Sequence, residues 1–244
     1  MRRILPEWLR QGRRTGKFPD EPGVLQGRFR GRPVVAGEKC PDGCRRCSEV
    51  CPTEAFSFAD GKTRLDLGKC VFCPACAEVC PEQAITWTQE CALATSTREA
   101  LVSDGRTLEL ARQLDAKARS LFGRSLKLRQ VSAGGCNGCE SELNAAGNVV
   151  FDLSRFGIQF VASPRHADGL VVTGPVTENM RFALLETWAA VPPPKLVIAV
   201  GACAISGGVY SPVQMPLPVD LYVPGCPPHP ITFLDGVLRL LGRR

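Results

Sequence analysis

The chain has 244 residues, 44% hydrophobic and 22% charged, with a formal net charge of +6 and 13 cysteines. That composition excludes a disordered chain and suits one large domain or two small ones. No apolar run approaches the roughly 18 residues that cross a bilayer, and Arg2 and Arg3 lead into no apolar export signal, so a cytoplasmic chain with reduced thiols is expected.

Residues 1–36 read as a basic, Gly- and Pro-rich extended arm with at most a short helix near Trp8. Within 1–32, nine Arg/Lys and three acids give +6, the whole net charge. Such an arm suits an acidic partner, a membrane surface or a merely solvated tail, and no nucleic-acid motif accompanies it. Residues 37–90 carry two cysteine runs and form the second unit. Residues 91–125 show helical spacing at Leu108, Leu110, Ala111, Leu114, Ala118, Leu121 and Phe122, which predicts a helical linker. In 126–244, strands are predicted near 126–131, 158–162, 169–173, 195–200 and 219–223, with helices near 140–153, 177–190 and 230–242. The alternation of strands and helices, with continuously apolar runs at 170–172 and 196–200, predicts an open α/β parallel sheet.

The two cysteine runs repeat one another. Cys40-x3-Cys44-x2-Cys47-x3-Cys51-Pro52 is followed by Cys70-x2-Cys73-x2-Cys76-x3-Cys80-Pro81, and both end in Glu-Val-Cys-Pro. A 4Fe–4S cluster needs four thiolates. In two-cluster ferredoxins the cysteine that precedes Pro serves the other cluster. By that rule one cluster takes Cys40, Cys44, Cys47 and Cys80, and the other takes Cys70, Cys73, Cys76 and Cys51. The first run has one residue more than the standard spacing between Cys40 and Cys44, where Asp42 and Gly43 can form a bulge. Two zinc sites of four cysteines each are the competing reading, but zinc motifs pair two C-x2-C hairpins rather than running four Cys toward Cys-Pro.

Four further cysteines are dispersed: Cys136 and Cys139 in a C-x2-C pair, Cys203, and Cys226 before Pro227. Each group follows a predicted strand, and loops at the carboxyl ends of strands converge in such a sheet. Gly134, Gly135, Gly138, Gly201 and Gly225 surround them and allow backbone to approach sulfur. Four unrelated buried thiols are the alternative.

Together with residues 163–168, 173–177, 201–203 and 224–228, the segment 135–142 closely resembles the small subunit of group 4 membrane-bound NiFe-hydrogenases of the formate hydrogenlyase type. That family belongs with the 20 kDa subunit of respiratory complex I. The stretch that includes 67–73 and 78–81 resembles the ferredoxin-like subunit of the same complexes, so the chain looks like a fusion of two relay subunits. The resemblance implies a flavodoxin-like fold for 126–244, with Cys136, Cys139, Cys203 and Cys226 holding a third 4Fe–4S cluster nearest the active site. It implies an electron-transfer subunit of a cytoplasm-facing hydrogenase complex, peripheral to the membrane, partnered by a large subunit that holds nickel and by membrane-arm subunits. The C-x2-C form at Cys136 and Cys139 matches hydrogenase-type subunits, whereas complex I subunits usually have adjacent Cys there. A complex I-like quinone oxidoreductase subunit, partnered by a 49 kDa-like subunit, and a free-standing ferredoxin-like carrier are the alternatives. Only 22 residues separate Cys203 from Cys226, so the loop 207–218 looks trimmed relative to the family.

Glu140 and Glu142 suit either proton carriage or the acidic first turn of a helix. Arg165 and His166 resemble positions near the terminal cluster in the complex I family, or form a plain surface loop. Cys91 is left over and reads as a buried thiol, and His229 reads as structural.

Overall fold

A computed structural model describes the chain except for residues 1–3, 13–14, 22–24, 26, 28, 60–61, 104–106 and 211–214. The elements in chain order begin with α1 (Ile4–Gln11), β1 (Pro33–Val35), α2 (Arg46–Glu49), β2 (Phe56–Ala59), β3 (Lys62–Asp66), α3 (Ala75–Glu78), β4 (Ile85–Trp87) and β5 (Val102–Ser103). Then come α4 (Ala116–Phe122), β6 (Leu126–Ser132), α5 (Gly138–Ala145), β7 (Ile158–Phe160), β8 (Gly169–Thr173), α6 (Glu178–Ala190), β9 (Leu196–Val200), α7 (Ala202–Ser206), β10 (Leu221–Val223) and α8 (Pro230–Leu240).

The C-terminal half is a five-stranded parallel sheet in the order β10-β9-β8-β6-β7. Counted within the sheet this is the 2-1-3-4-5 order of flavodoxin-like folds. Every residue of β8 and β9 is buried, as their unbroken apolar runs require of strands covered on both faces. In β6, by contrast, Leu126 and Leu128 are buried and Lys127 is exposed. Helix α8 covers one face with Ile231, Phe233, Leu234, Val237 and Leu238, and Phe233 stacks on Phe160 of β7.

The N-terminal half shows the internal repeat as geometry. β1 pairs antiparallel with β4, and β2, β3 and β5 form a second antiparallel sheet. Each half places a four-residue helix before its Cys-Pro. Each then turns through a residue with positive φ, Glu54 at 49° and Gln83 at 47°. The extra residue of the first run sits before Gly43 (φ 74°), which occupies the place of Phe72 (φ 55°) in the second.

Two expectations are corrected. Among the described residues of 91–125, the only α-helix is α4, with one short 3-10 turn at Glu99–Leu101. Upstream, tertiary hydrogen bonds replace the helical ones. The Thr95 and Tyr222 backbones bond in both directions, Ala111 donates to Ala94, and Leu114 donates to Leu240. The open edge of β10 needs a partner, and satisfying it outweighs the helical spacing. The helix expected at 140–153 ends at Ala145, because Asn148 Oδ1 accepts the N–H groups of Val150 and Phe151 and turns the chain.

The basic arm is more than a tail. Beyond α1, Gly16 donates to the Val150 carbonyl and Phe18 is buried in the C-terminal core. The Arg244 guanidinium covers the Phe18 ring at 4.7 Å, and Arg155 donates to the Phe18 carbonyl. Farther on, Arg30 donates to the Phe72 carbonyl at 2.9 Å and Arg32 pairs with Glu90 at 2.7 Å. The described residues of 16–32 thus strap the two halves together.

Candidate functional site

The twelve cysteines singled out gather as three sets. Cys40, Cys44, Cys47 and Cys80 line one cavity, together with Val35, Thr63 and Ile85. Burial pushes the Cys40 thiol up, and Cys80 and Cys44 push it further. The Cys70 thiol is pushed up to about 12, chiefly by burial, then by Cys76, Cys51 and Cys73. Cys76 is pushed up to about 11 by burial and by Cys73, Cys51 and Cys47. The cysteine before each proline therefore neighbours the other run, Cys80 the first and Cys51 the second.

The backbone meets the sulfurs at matching places. Ala55 N–H points at Cys51 Sγ and Ala84 N–H at Cys80 Sγ, both at 3.3 Å, and Phe72 N–H points at Cys70 Sγ at 3.3 Å. Donors aimed at sulfur stabilise thiolate over thiol.

The third set lies at the carboxyl ends of β6, β9 and β10, where Cys136, Cys203 and Cys226 follow their strands. Cys139 opens α5. Its thiol is pushed up to about 12 by burial, then by Glu140, Cys203, Cys226 and Cys136. Cys203 is pushed up to about 11 by burial, then by Cys226 and Cys136. Glycine makes the approach possible. A Cβ on Gly201, at φ 89°, would lie 2.5 Å from Cys139 Sγ, and one on Gly208 would lie 3.0 Å from Cys203 Sγ. Cys203 is buried, whereas Cys136 and Cys226 are exposed, so this set opens on the surface.

Crowded thiols such as Cys70, Cys76, Cys139 and Cys203 hold their protons unless positive charge compensates. A cationic iron–sulfur core supplies that compensation, and an all-thiolate donor set with N–H groups directed at sulfur suits it. The residues therefore fit the group.

The family model for the 20 kDa subunit of NADH ubiquinone oxidoreductase matches residues 136–240, and that for a 4Fe–4S dicluster domain matches 39–84. The chain is 43% identical over 133 residues to the probable membrane-bound hydrogenase subunit mbhJ of Pyrococcus furiosus, covering 52% of this chain and 80% of that one. The chain belongs to the NADH ubiquinone oxidoreductase 20 kDa subunit family. It is 46% identical over 126 residues to formate hydrogenlyase subunit 7 of Escherichia coli (49% of each chain). It is 50% identical over 108 residues to an NADH-quinone oxidoreductase subunit of Geotalea daltonii, covering 42% of this chain and 64% of that one. The match thus spans about half the length of the formate hydrogenlyase subunit. As a family member with a fused dicluster domain, the chain carries iron–sulfur clusters.

Glu140 is 5% exposed and is no solvated first-turn acid. Its Oε1 accepts hydroxyl hydrogen bonds from Ser132 and Thr173, each at 2.6 Å. Burial pushes its carboxyl up, but these bonds and its own backbone N–H win and hold it below the usual range. Glu140 thus ties the Cys139 turn to β6 and β8. Glu142 is pushed up by burial. His229 caps α8, accepting the Ile231 N–H at Nδ1, and meets Phe29 and Phe151 edge-on. Burial lowers its pKa, which suits an acceptor. Cys91 packs partly against the core, its thiol pushed up by burial and by Asp235. Arg165 and His166 are exposed on the short turn Pro164–His166. The loop 207–218 is partly outside the described residues.

The sequence reading missed Asp66, Arg98 and Ser206. Their partners are 32 and 138 residues away, and no local spacing signals them.

Proposed function

We propose that the chain is the electron-relay subunit of a membrane-associated, cytoplasm-facing NiFe-hydrogenase complex of the formate hydrogenlyase type. The supporting observation is the third cysteine set: its C-x2-C form, and its place between the dicluster half and the open surface. Twelve cysteines then hold three 4Fe–4S clusters, which when bound accept and release single electrons. Cys40, Cys44, Cys47 and Cys80 hold the first, Cys51, Cys70, Cys73 and Cys76 the second, and Cys136, Cys139, Cys203 and Cys226 the third. The backbone donors tune the sulfurs, and the glycines let the chain close around them.

An outward-facing third set suits a large subunit docked over Cys136 and Cys226. The exposed apolar residues Val149 and Phe182 also suit burial against partner subunits. Among the described residues no helix is long and apolar enough to cross a membrane.

The likeness to the NADH-quinone oxidoreductase subunit of Geotalea daltonii favours a second reading, a quinone oxidoreductase without hydrogen chemistry. Metal analysis and assay of the purified native complex separate the two. Nickel with hydrogen evolution or uptake is expected, and nickel-free material that reduces quinone would overturn the hydrogenase reading. For the chain alone, reconstitution should give roughly 12 iron. Roughly 8 would remove the third cluster, and zinc in place of iron would remove all three.

A further inference from the structure

We propose that Asp66, Gly68, Arg98 and Ser206 form a joint that fixes the spacing between the second and third cysteine sets. The proposal rests on the three-cluster reading above. The two sets are neighbours: Phe72, the residue before Cys73, and Cys226 line one cavity. Electron tunnelling falls exponentially with distance, so whatever holds this gap governs transfer across the chain.

The joint is built on the loop that enters the second set. Asp66 Oδ1 accepts the N–H groups of Gly68 at 2.9 Å and Lys69 at 3.3 Å. Arg98 grips the same carboxylate with both nitrogens, Nη1 to Oδ1 at 2.8 Å and Nη2 to Oδ2 at 2.6 Å. The two side chains are only 26% and 16% exposed for Arg98 and Asp66. The Asp66 carbonyl in turn accepts the Cys70 N–H at 3.0 Å. From the other half, the Ser206 hydroxyl lies 2.9 Å from the Gly68 carbonyl and 3.0 Å from the Ala202 carbonyl, sharing its proton between them. Ser206 ends α7, the helix that carries Cys203.

Gly68 is the point of closest approach. A Cβ there would lie 2.8 Å from Ile205 Cγ2 and 3.0 Å from the Arg98 guanidinium carbon. A side chain there displaces the Ile205 side chain of α7 or the Arg98 guanidinium. The strap holds the opposite flank. Arg30 bonds the Phe72 carbonyl while Phe29 meets His229, three residues past Cys226, with ring centroids 5.3 Å apart. The gap is thus bracketed from both sides within one chain. Its geometry needs no partner.

The test uses the full-length reconstituted chain and the variants Gly68→Val, Arg98→Lys and Ser206→Ala. Two quantities are read: iron per chain, and the spin–spin interaction of the reduced chain by electron paramagnetic resonance. Gly68→Val wedges the joint, Arg98→Lys keeps the charge but loses the two-point grip, and Ser206→Ala removes only one hydroxyl. All three should keep about 12 iron. The interaction should weaken most in Gly68→Val and least in Ser206→Ala, and Arg98→Lys should not behave as wild type. Full iron with an unchanged interaction in Gly68→Val and Arg98→Lys overturns the joint. So does selective loss of iron in all three variants, which would assign these residues to assembly of the second set and not to spacing. About 8 iron in the wild-type chain overturns it through the three-cluster reading beneath it.

Discussion

Glu140 illustrates how one side chain can serve a site without joining it. Its single oxygen Oε1 collects two hydroxyl donors, and Thr173 beneath it is fully buried. Truncation to Ala removes the acceptor of Ser132 and leaves Thr173 only the longer bond to the Val131 carbonyl at 3.3 Å. Glu140→Ala is therefore expected to cost about 2 kcal/mol in denaturant unfolding, with Glu140→Gln, which keeps an acceptor, costing less. Asp220 gives the opposite electrostatic case. Its carboxyl accepts the Val197 N–H at 2.8 Å, yet burial raises its pKa above the usual range. The folded chain then keeps a proton that the unfolded chain has lost, so stability falls as pH rises through the window between the ordinary and the raised value. Asp220→Asn keeps an acceptor and sheds the buried charge. It should be at least as stable as wild type at neutral pH and lack that slope. A less stable Asn variant at neutral pH would refute this account. Neither role was legible in sequence. An acid after Cys139 reads equally as first-turn acid or proton carrier, and only the strand hydroxyls decide. The eight cysteines of the repeat stand out in sequence because a cluster needs four thiolates and each run ends in Cys-Pro, whereas the dispersed four are grouped only through the loops of the sheet and the family resemblance.

Elements were read best where burial forces a pattern. β8 and β9, buried throughout, lie where the sequence places them, and the parallel sheet follows. The reading failed where an element answers to a distant partner. The spacing from Leu108 to Phe122 is helical, but Thr95 and Ala111 are held by backbone far along the chain or across a loop. The basic arm is the other such element, since the Phe18 pocket is made by Arg155 and Arg244, well over a hundred residues away. Its two parts should behave differently. Phe18 is 6% exposed, and Phe18→Ala is expected to cost about 3 kcal/mol. Trp8 on α1 is 65% exposed, and Trp8→Ser should change stability by no more than about 0.5 kcal/mol. Chemical denaturation of both variants checks the pair. Equal effects would mean that residues 16–32 do not strap the halves.

Across the whole molecule the second set neighbours both of the others. Cys76 of the second set feels Cys47 of the first, and Cys226 of the third feels Cys73 of the second. The crossing of Cys51 and Cys80 makes this order testable residue by residue. Cys80 lies late in the sequence among the second run, yet it lines the cavity of Cys40, Cys44 and Cys47. Cys80→Ala should therefore remove the terminal first cluster and leave the interaction between the second and third intact. Cys51→Ala should remove the middle cluster instead, leaving two signals with little mutual interaction. Each variant should lose about 4 iron. Iron content alone cannot tell the two apart, whereas paramagnetic resonance of the reduced chains can. The reverse assignment, Cys51→Ala sparing the interaction and Cys80→Ala abolishing it, would refute the crossing and the middle place of the second set together. On the proposed three-cluster reading, electrons entering at the first set cross the gap that the joint at Gly68 is proposed to fix before reaching Cys136 and Cys226.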